Sequence, residues 1–217
     1  MSIRLLLVDD HKIMREGLRA LIGGEPGLDV VGEASNGREA VALARESKPD
    51  VVLMDVAMPD LNGVEATRQI MAVLPTCSVV ALSIHRDRHF VTHMLRAGAS
   101  GYVLKGCSFE ELVRAIRTAA NGEVYLTPVV AGALAQGYAD GLVTGSDPTG
   151  GGLSPREREV LQLLAEGFNT KQVAARLGIQ PRTVAVHRYR IMRKLGVETA
   201  AEMIKWAIRD GLTSLGH

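Results

Sequence analysis

The first half of the chain alternates between short apolar runs and amphipathic segments. Short apolar runs bounded by polar residues are typical of buried strands, and apolar residues spaced three or four apart are typical of helices. The predicted strands are Ile3–Val8, Leu28–Ala34, Val51–Met54, Val79–Ser83 and Gly101–Leu104. The predicted helices are Lys12–Ile22, Asn36–Ser47, Gly63–Leu74, Asp87–Ala97 and Phe109–Ala120. This alternation predicts an α/β fold with a doubly wound, five-stranded parallel sheet covered by helices on both faces.

The pattern changes after Asn121 and Gly122. Residues 128–139 predict a short helix, and the segment DGLVTGSDPTGGG at residues 140–152 is typical of a flexible linker. Four further helices are predicted from Leu153 onward, and the Ser-x-x-Glu pattern at Ser154 is typical of a capped helix start. We therefore predict a first domain at 1–122, a linker with a possible short helix at 123–152, and an all-α four-helix domain at 153–217.

Composition narrows the class of protein. Hydrophobic residues make up 47 % of the chain, which is enough for packed cores and excludes a disordered protein. No apolar run approaches the roughly 20 residues of a membrane span, and the apolar stretch at the N-terminus is too short for a secretory signal. Cys77 and Cys107 have neither metal-binding spacing nor a framework of bridges. We expect a cytoplasmic protein without a membrane partner.

Charge is distributed unevenly along the chain. Residues 150–217 contain 11 Lys and Arg against 6 Asp and Glu, whereas residues 1–149 contain 14 against 18. An acidic N-terminal part and a basic C-terminal part indicate two separate functions. The second is predicted to be binding of a polyanion such as nucleic acid.

Carboxylates follow two strands that a doubly wound sheet places side by side. Asp9 and Asp10 end the first strand and Asp55 ends the third, so the three side chains should meet at the carboxyl edge of the sheet. Carboxylates that close raise one another's pKa unless a cation neutralises them. Hard oxygen ligands point to Mg²⁺ as that cation.

Two more strands end in groups that suit the same site. The fifth strand ends at Lys105, which supplies a fixed positive charge, and the fourth ends at Ser83, which supplies a hydroxyl. Acids, a metal ion, a hydroxyl and a lysine around one point predict phosphoryl transfer, with one carboxylate as a possible nucleophile.

These residues resemble the receiver domain of two-component response regulators. The resemblance rests on VDDH at 8–11, D-x-x-M-P at 55–59, Ser83 and GYVLK at 101–105, and it covers about residues 1–122 with a flavodoxin-like fold. It implies that Asp55 accepts a phosphoryl group from a sensor histidine kinase. It also implies that Mg²⁺ is held by Asp10, Asp55 and the backbone carbonyl of Ala57, with Asp9 acting through water.

The same resemblance assigns further roles. Lys105 binds the phosphate, Ser83 and Tyr102 form a switch pair, and Pro59 shapes the loop after the phosphorylated aspartate. Ala57 and His85 occupy the two positions that tune phosphate lifetime in such domains, and the lifetime itself is left open.

The segment LSPREREVLQLLAEGFNTKQVAARLGIQPRTVAVHRYRIMRKLGV resembles the LuxR-type, NarL-like helix-turn-helix. The resemblance covers residues 153–211 and implies a scaffold helix at Lys171–Leu177 and a recognition helix at Pro181–Leu195 that lies in the major groove. Independently, Val184, Ile191 and Leu195 form an apolar stripe on a helix rich in arginine. The candidate DNA contacts are Thr170, Lys171, Arg182, Thr183, Ala185, Val186, Arg188, Tyr189 and Arg190.

Three positions of this segment depart from the usual pattern. Ala185 replaces a frequent lysine, Tyr189 replaces another frequent contact residue, and Gln180 is a weaker helix cap than the usual serine. Ala185 and Val186 could therefore contact thymine methyl groups. His187 is expected to pack against the scaffold helix and not to read a base.

The combined hypothesis is a phosphorylation-controlled transcription regulator that is not an enzyme beyond its own phosphorylation and dephosphorylation. Its expected partners are a sensor histidine kinase and double-stranded DNA, with RNA polymerase possible and a homodimer formed through residues 200–210. A competing hypothesis is a Mg²⁺-dependent phosphatase, although the acids of such enzymes usually share one short loop and Asp10 and Asp55 are 45 positions apart. A DNA-binding protein with a vestigial receiver is a further alternative, but the presence of all the acids and of Lys105 argues against it. A regulator that senses a small molecule would share the C-terminal domain, but the front half has the residues of a phosphate site and not of an apolar ligand pocket.

Overall fold

The structure, a computed structural model, describes residues 2–139 and 152–213. The chain divides between Thr144 and Gly145 into two compact units. The flexible linker predicted at 140–152 lies outside the described residues, apart from Gly152. Within the described ranges, no helix is both long and apolar enough to span a bilayer.

The first unit is built on a single parallel sheet. Its strands are β1 (Ile3–Val8), β2 (Leu28–Ala34), β3 (Val51–Asp55), β4 (Ser78–Ser83), β5 (Gly101–Leu104) and β6 (Tyr125–Leu126). Their order is β2-β1-β3-β4-β5-β6, and every neighbouring pair is parallel. The doubly wound fold is confirmed, but the prediction of five strands is wrong because β6 adds a sixth. With only two residues, β6 is too short to show an alternating pattern in the sequence.

Six helices cover this sheet. They are α1 (Lys12–Gly23), α2 (Gly37–Ser47), α3 (Gly63–Val73), α4 (Arg88–Ala97), α5 (Phe109–Ala120) and α6 (Pro128–Ala139). The observed bounds lie within one residue of the predicted ones. Asn36 caps α2 by accepting a hydrogen bond from the backbone N–H of Glu39 at 3.0 Å. β6 and α6 belong to the first unit, since α6 contacts α4 and Val130 is fully buried.

Alternate residues of β1 point to two separate apolar layers. Leu6 and Val8 pack with residues of α2, α3, α4 and α6, whereas Leu5 and Leu7 pack with residues of α1 and α5. Both faces of the sheet are therefore buried, as expected for strands that are apolar throughout. Only the ends of the strands remain for polar chemistry.

In residues 152–213, the second unit consists of four helices around one core. They are α7 (Pro155–Ala165), α8 (Thr170–Leu177), α9 (Pro181–Leu195) and α10 (Ala200–Arg209). Ser154 forms the capping box that the sequence predicts, and Asn169 forms a second one with Gln172. Gln180 makes no side-chain cap bond. The core includes Val160, Leu161, Leu163, Val173, Leu177, Val184, Ile191, Met203 and Ala207.

Candidate functional site

The acidic residues predicted to converge do so at the carboxyl edge of the sheet. β1 and β3 are neighbours, and Val8 pairs with Met54, so the residues that follow lie side by side. One ligand atom from each of Asp9, Asp10, His11 and Asp55 lies within 4.8 Å of the others. Asp9, Asp10 and His11 are consecutive, and the pairing of β1 with β3 brings the distant Asp55 to them.

Lys105 joins two of these carboxylates. Its Nζ lies 2.8 Å from Asp55 Oδ2 and 2.8 Å from Asp9 Oδ2. Its backbone N–H donates to the carbonyl of Ser83 at 2.9 Å, which fixes the end of β5 against the end of β4. Burial lowers the pKa of Lys105, but its hydrogen bonds and attraction to Asp55 and Asp9 outweigh that effect and raise the pKa above its ordinary value.

Asp55 is nearly enclosed. Its side chain is 4 % exposed, whereas Asp10 retains 17 % and Lys105 11 %, so the cluster meets solvent on the side of these two residues. Burial raises the pKa of Asp55 to about 6, although the hydrogen bond and charge of Lys105 lower it. The ammonium group of Lys105 thus offsets part of the rise in the pKa of Asp55 that desolvation causes.

The charges of the cluster remain unbalanced. Three carboxylates face one ammonium group, so the cluster carries an excess of two negative charges when all three are ionised and the imidazole of His11 is neutral. A hard divalent cation such as Mg²⁺ fits both that charge and the oxygen donors. Asp10 and Asp55, together with the nearby backbone carbonyl of Ala57, are the residues that could hold it.

The loop after Asp55 is folded tightly onto the end of β3. The N–H of Gly63 donates to the carbonyl of Val56 at 2.9 Å, and the N–H of Leu61 donates to that of Pro59 at 2.8 Å. A Cβ at Gly63 would lie 2.0 Å from the carbonyl oxygen of Asp55, so only glycine allows α3 to start so close to the strand. The N–H of Ala57 donates to Asp55 Oδ1 at 3.3 Å.

The two predicted switch residues both bond to the backbone of one residue, His85. Ser83 and Tyr102 are both buried, and Ser83 Oγ accepts from the N–H of His85 at 3.0 Å. The Tyr102 hydroxyl donates to the carbonyl of His85 at 2.7 Å, and burial raises its pKa to about 12. The ring of His85 stacks on Phe90 at 4.3 Å between centroids. Residue 85 therefore connects the two switch side chains to the start of α4.

Sequence reasoning assigned no role to two residues that contact the acidic loop. His11 Nδ1 lies 2.9 Å from Asp10 Oδ1 and 3.2 Å from Asp9 Oδ1. Arg15 donates to the carbonyl of Asp9 at 2.6 Å and thereby fixes the loop between β1 and α1. His11 could have been found because it directly follows the acid pair. Arg15 gave no signal beyond its position in the first turns of α1.

Most of the predicted DNA-contact residues are exposed in the second unit. On α9, Val184 and Ile191 are fully buried, while the face directed to solvent carries Arg182, Thr183, Ala185, Val186, Arg188, Tyr189 and Arg190. Val186 is 44 % exposed and Tyr189 is 63 % exposed. At the start of α8, Lys171 is exposed and Thr170 is half-buried. We call the exposed face of α9 the basic face.

Some of the basic residues serve the fold instead. Lys194 Nζ lies 2.6 Å from Glu157 Oε2, and Arg156 donates to the carbonyl of Leu177 at 2.6 Å. In the described part of the chain, no carboxylate forms an ion pair with Arg182, Arg188 or Arg190. The charge of the basic face therefore comes from these arginines and not from the whole basic excess of the segment.

Known proteins share both halves of the chain. Residues 5–117 match the response regulator receiver domain, and residues 152–207 match the bacterial regulatory proteins of the luxR family. The chain is 38 % identical over 210 residues to the response regulator GacA of Pseudomonas aeruginosa, which covers 97 % of each protein. It is 40 % identical over 203 residues to the transcriptional regulatory protein UhpA of Escherichia coli strain K12, which covers 94 % of this chain and 96 % of UhpA.

A solved structure of the same family is also similar to this chain. A two-component response regulator of the LuxR family from Aurantimonas sp. SI85-9A1 is similar with 40 % identity and a TM-score of 0.62, over 64 % of this chain and 99 % of that one. The chain therefore belongs to the two-component response regulators that carry a receiver domain followed by a LuxR-type helix-turn-helix domain.

Proposed function

We propose that Asp55 accepts a phosphoryl group from the phosphohistidine of a sensor histidine kinase, and that this phosphorylation controls binding of double-stranded DNA by the second unit. The observation that carries the proposal is the position of Lys105, whose ammonium group lies 2.8 Å from carboxylate oxygens of both Asp55 and Asp9. A cation fixed beside a buried carboxylate suits the transfer of an anionic group to that carboxylate.

In the transfer, a carboxylate oxygen of Asp55 forms a bond to phosphorus while the bond between phosphorus and the imidazole nitrogen of the kinase breaks. The electron pair of that bond returns to the nitrogen, which is the leaving group. Lys105 stabilises the charge on the phosphoryl oxygens. Asp10, Asp55 and the Ala57 carbonyl would hold Mg²⁺, with Asp9 acting through water, and the ion would supply the remaining positive charge.

Phosphorylation of Asp55 would act next on the switch pair. The Ser83 hydroxyl lies at the end of the adjacent strand β4, and a phosphoryl oxygen on Asp55 would compete with its present bond to the N–H of His85. If Ser83 turns, the loop that Tyr102 also holds through the carbonyl of His85 loses one of its two anchors. A local electrostatic change is thereby passed to the start of α4.

The DNA-binding step rests on the basic face. Arg182, Arg188 and Arg190 are exposed for phosphate and base-edge contacts, Thr183 and Tyr189 can donate hydrogen bonds, and Ala185 and Val186 offer methyl contacts to thymine. Thr170 and Lys171 lie at the start of α8, where helix N-termini favour phosphate. We further propose that the protein binds as a homodimer through α10 and that promoter-bound dimers contact RNA polymerase.

In this proposal residues 1–122 form the phosphorylated domain and residues 153–217 the DNA-binding domain. They are joined through residues 123–152, of which β6 and α6 pack on the first unit. The protein acts in the cytoplasm, where the kinase domain and the promoter DNA are found.

The direct test is labelling by a small phosphodonor in the presence of Mg²⁺. The wild-type chain should gain one phosphoryl group by intact mass, and Asp55→Asn should gain none. Asp29→Asn, which changes an exposed aspartate on β2, is the matched control and should label normally. Labelling that persists in Asp55→Asn refutes the assignment.

Two further measurements test the competing functions. Equal DNA affinity with and without the phosphodonor would favour a vestigial receiver. Steady turnover of a phosphate ester, at many product molecules per protein, would favour the phosphatase.

A further inference from the structure

We propose that His11 is an additional ligand of the acidic site, one that a transition-metal ion can use and Mg²⁺ cannot. The inference deepens the proposed function, because it rests on the same metal site beside Asp55. It concerns which divalent ions the site selects.

The position of the imidazole carries the inference. His11 Nδ1 lies 2.9 Å from Asp10 Oδ1 and 3.2 Å from Asp9 Oδ1, so the nitrogen faces the carboxylates. Ligands at neighbouring corners of an octahedron around a divalent ion lie about 3 Å apart, since each bond is about 2.1 Å long. His11 Nδ1 thus lies at about this spacing from one oxygen of each of the two aspartates.

The backbone keeps His11 in this position. Its N–H donates to Asp9 Oδ1 at 2.9 Å, and the residue is the N-cap of α1. Arg15 fixes the carbonyl of Asp9 at 2.6 Å. Both bonds fix the backbone of the acidic loop and so place the Cβ of His11 beside the site, while the imidazole itself is 58 % exposed.

The chemistry of the donors defines the ions. Mg²⁺ takes oxygen ligands and keeps several waters, so a nearby imidazole adds little to its binding. Mn²⁺, Co²⁺, Ni²⁺ and Zn²⁺ accept imidazole nitrogen readily, with affinity that generally increases from Mn²⁺ to Ni²⁺. Two aspartates and one histidine around an ion form a mixed site that favours such metals over Mg²⁺.

One other group of histidines could bind the same ions and must be separated in the experiment. His89 and His93 lie four positions apart on α4, with ring centroids 4.1 Å apart. The ring of His85 stacks on Phe90 and is turned to α4. The variant His93→Gln therefore serves as the matched histidine control for His11→Gln.

The experiment is calorimetric titration of the untagged full chain with Co²⁺ and, separately, with Mg²⁺, at about pH 8, where free imidazole is neutral. We expect one Co²⁺ site that excess Mg²⁺ displaces and that Asp10→Asn removes. His11→Gln should weaken Co²⁺ binding at this site by at least about tenfold and leave the Kd for Mg²⁺ within about twofold. His93→Gln should leave the Co²⁺ affinity of the Mg²⁺-displaceable site unchanged.

Three outcomes overturn the inference. They are intact Co²⁺ binding in His11→Gln, an equal loss of Co²⁺ and Mg²⁺ affinity in that variant, and a single Co²⁺ site that is insensitive to Asp10→Asn. Paramagnetically shifted imidazole protons in the Co²⁺ complex, present in the wild type and lost in His11→Gln, give a second readout. Failure of the proposed function can be distinguished from failure of this inference. In that case Mg²⁺ would still bind at Asp10, but the phosphodonor would not label Asp55.

Discussion

At the scale of single residues, the acidic site balances burial against charge. Asp55 is surrounded by protein, and burial alone would favour its neutral form. Lys105 opposes this through a hydrogen bond at 2.8 Å. The result is a carboxylate with a pKa of about 6, which is ionised at neutral pH and yet poorly solvated. An ionised carboxylate that water solvates poorly is stabilised by any change that neutralises its charge more completely.

Asp55 should make stability depend on pH when no divalent ion is present. Its pKa is about 6 in the folded protein against an ordinary value of 3.8, so the folded state binds a proton first as pH falls. Burial of the ionised carboxylate lowers the free energy of unfolding by its full amount above about pH 6, and this loss disappears below about pH 3.8. Asp55→Asn should therefore raise the free energy of unfolding by up to about 3 kcal/mol at about pH 7.5, and by about half as much at about pH 5.

Urea unfolding followed by circular dichroism, with a chelator present, measures this difference. Asp29→Asn should change stability little at either pH, because the side chain is exposed. A gain for Asp55→Asn that stays the same at both pH values would contradict the assigned cause.

At the scale of elements, close contacts and caps decide where helices begin. The bounds of most elements could be predicted because periodicity and capping residues are local signals, as Asn36 and Ser154 show. β6 could not be predicted, since its two residues form a strand only because β5 offers them an edge. Nor did the sequence reveal that α6 packs on the first unit through Val130.

Gly63 should be indispensable for the start of α3. A methyl group there would lie 2.0 Å from the carbonyl oxygen of Asp55, so the backbone must move. Gly63→Ala should destabilise the first unit by about 3 kcal/mol or more and reduce phosphorylation of the displaced Asp55. Gly17→Ala is the control, because a Cβ at this helical position meets open space. It should stabilise by roughly 0.5–1 kcal/mol, as measured by urea unfolding. Equal stability of the two variants would refute the steric argument.

The caps of the second unit should differ in their energetic contribution. Asn169 accepts bonds from the N–H groups of Lys171 and Gln172, whereas the side chain of Gln180 caps nothing. Asn169→Ala should lower the free energy of unfolding by about 1 kcal/mol, and Gln180→Ala by less than about 0.5 kcal/mol. Thermal unfolding of the two variants tests the difference, which is absent if the capping bonds do not form in solution.

At the scale of the whole molecule, the chain joins two units with separate cores and opposite charge. The acidic cluster lies in the first unit, and the basic face lies in the second. The excess of Lys and Arg after residue 150 predicts a polyanion as the partner of this segment. That prediction agrees with the family of the second unit, which is the luxR family. It overstated the charge that faces solvent, because Lys194 and Arg156 are held within the fold.

The basic face should make DNA binding depend on salt. Arg182→Ala and Arg188→Ala should each weaken binding to a mixed-sequence duplex and reduce the slope of log affinity against log salt by about 1, because each removes one phosphate contact. Arg45→Ala removes the same charge from an exposed position on α2 and should leave the slope unchanged. Fluorescence anisotropy over a range of salt concentrations gives the slopes. An equal decrease of the slope for Arg45→Ala would show that the salt dependence of DNA binding comes from the net charge of the protein and not from the basic face.

The sequence by itself determined the described elements except β6, the strand-end positions of Asp9, Asp10, Asp55, Ser83 and Lys105, and the resemblance to the two families. These features depend on local periodicity, on caps, and on the rule that parallel strands expose their carboxyl ends together. The tertiary structure alone decided which side chains touch. It placed Lys105 between two aspartates, brought the imidazole of His11 to the same site, joined Ser83 and Tyr102 at His85, and tied Lys194 to Glu157. The physical reason is that such contacts depend on the packing of residues far apart in the chain, which no local pattern records.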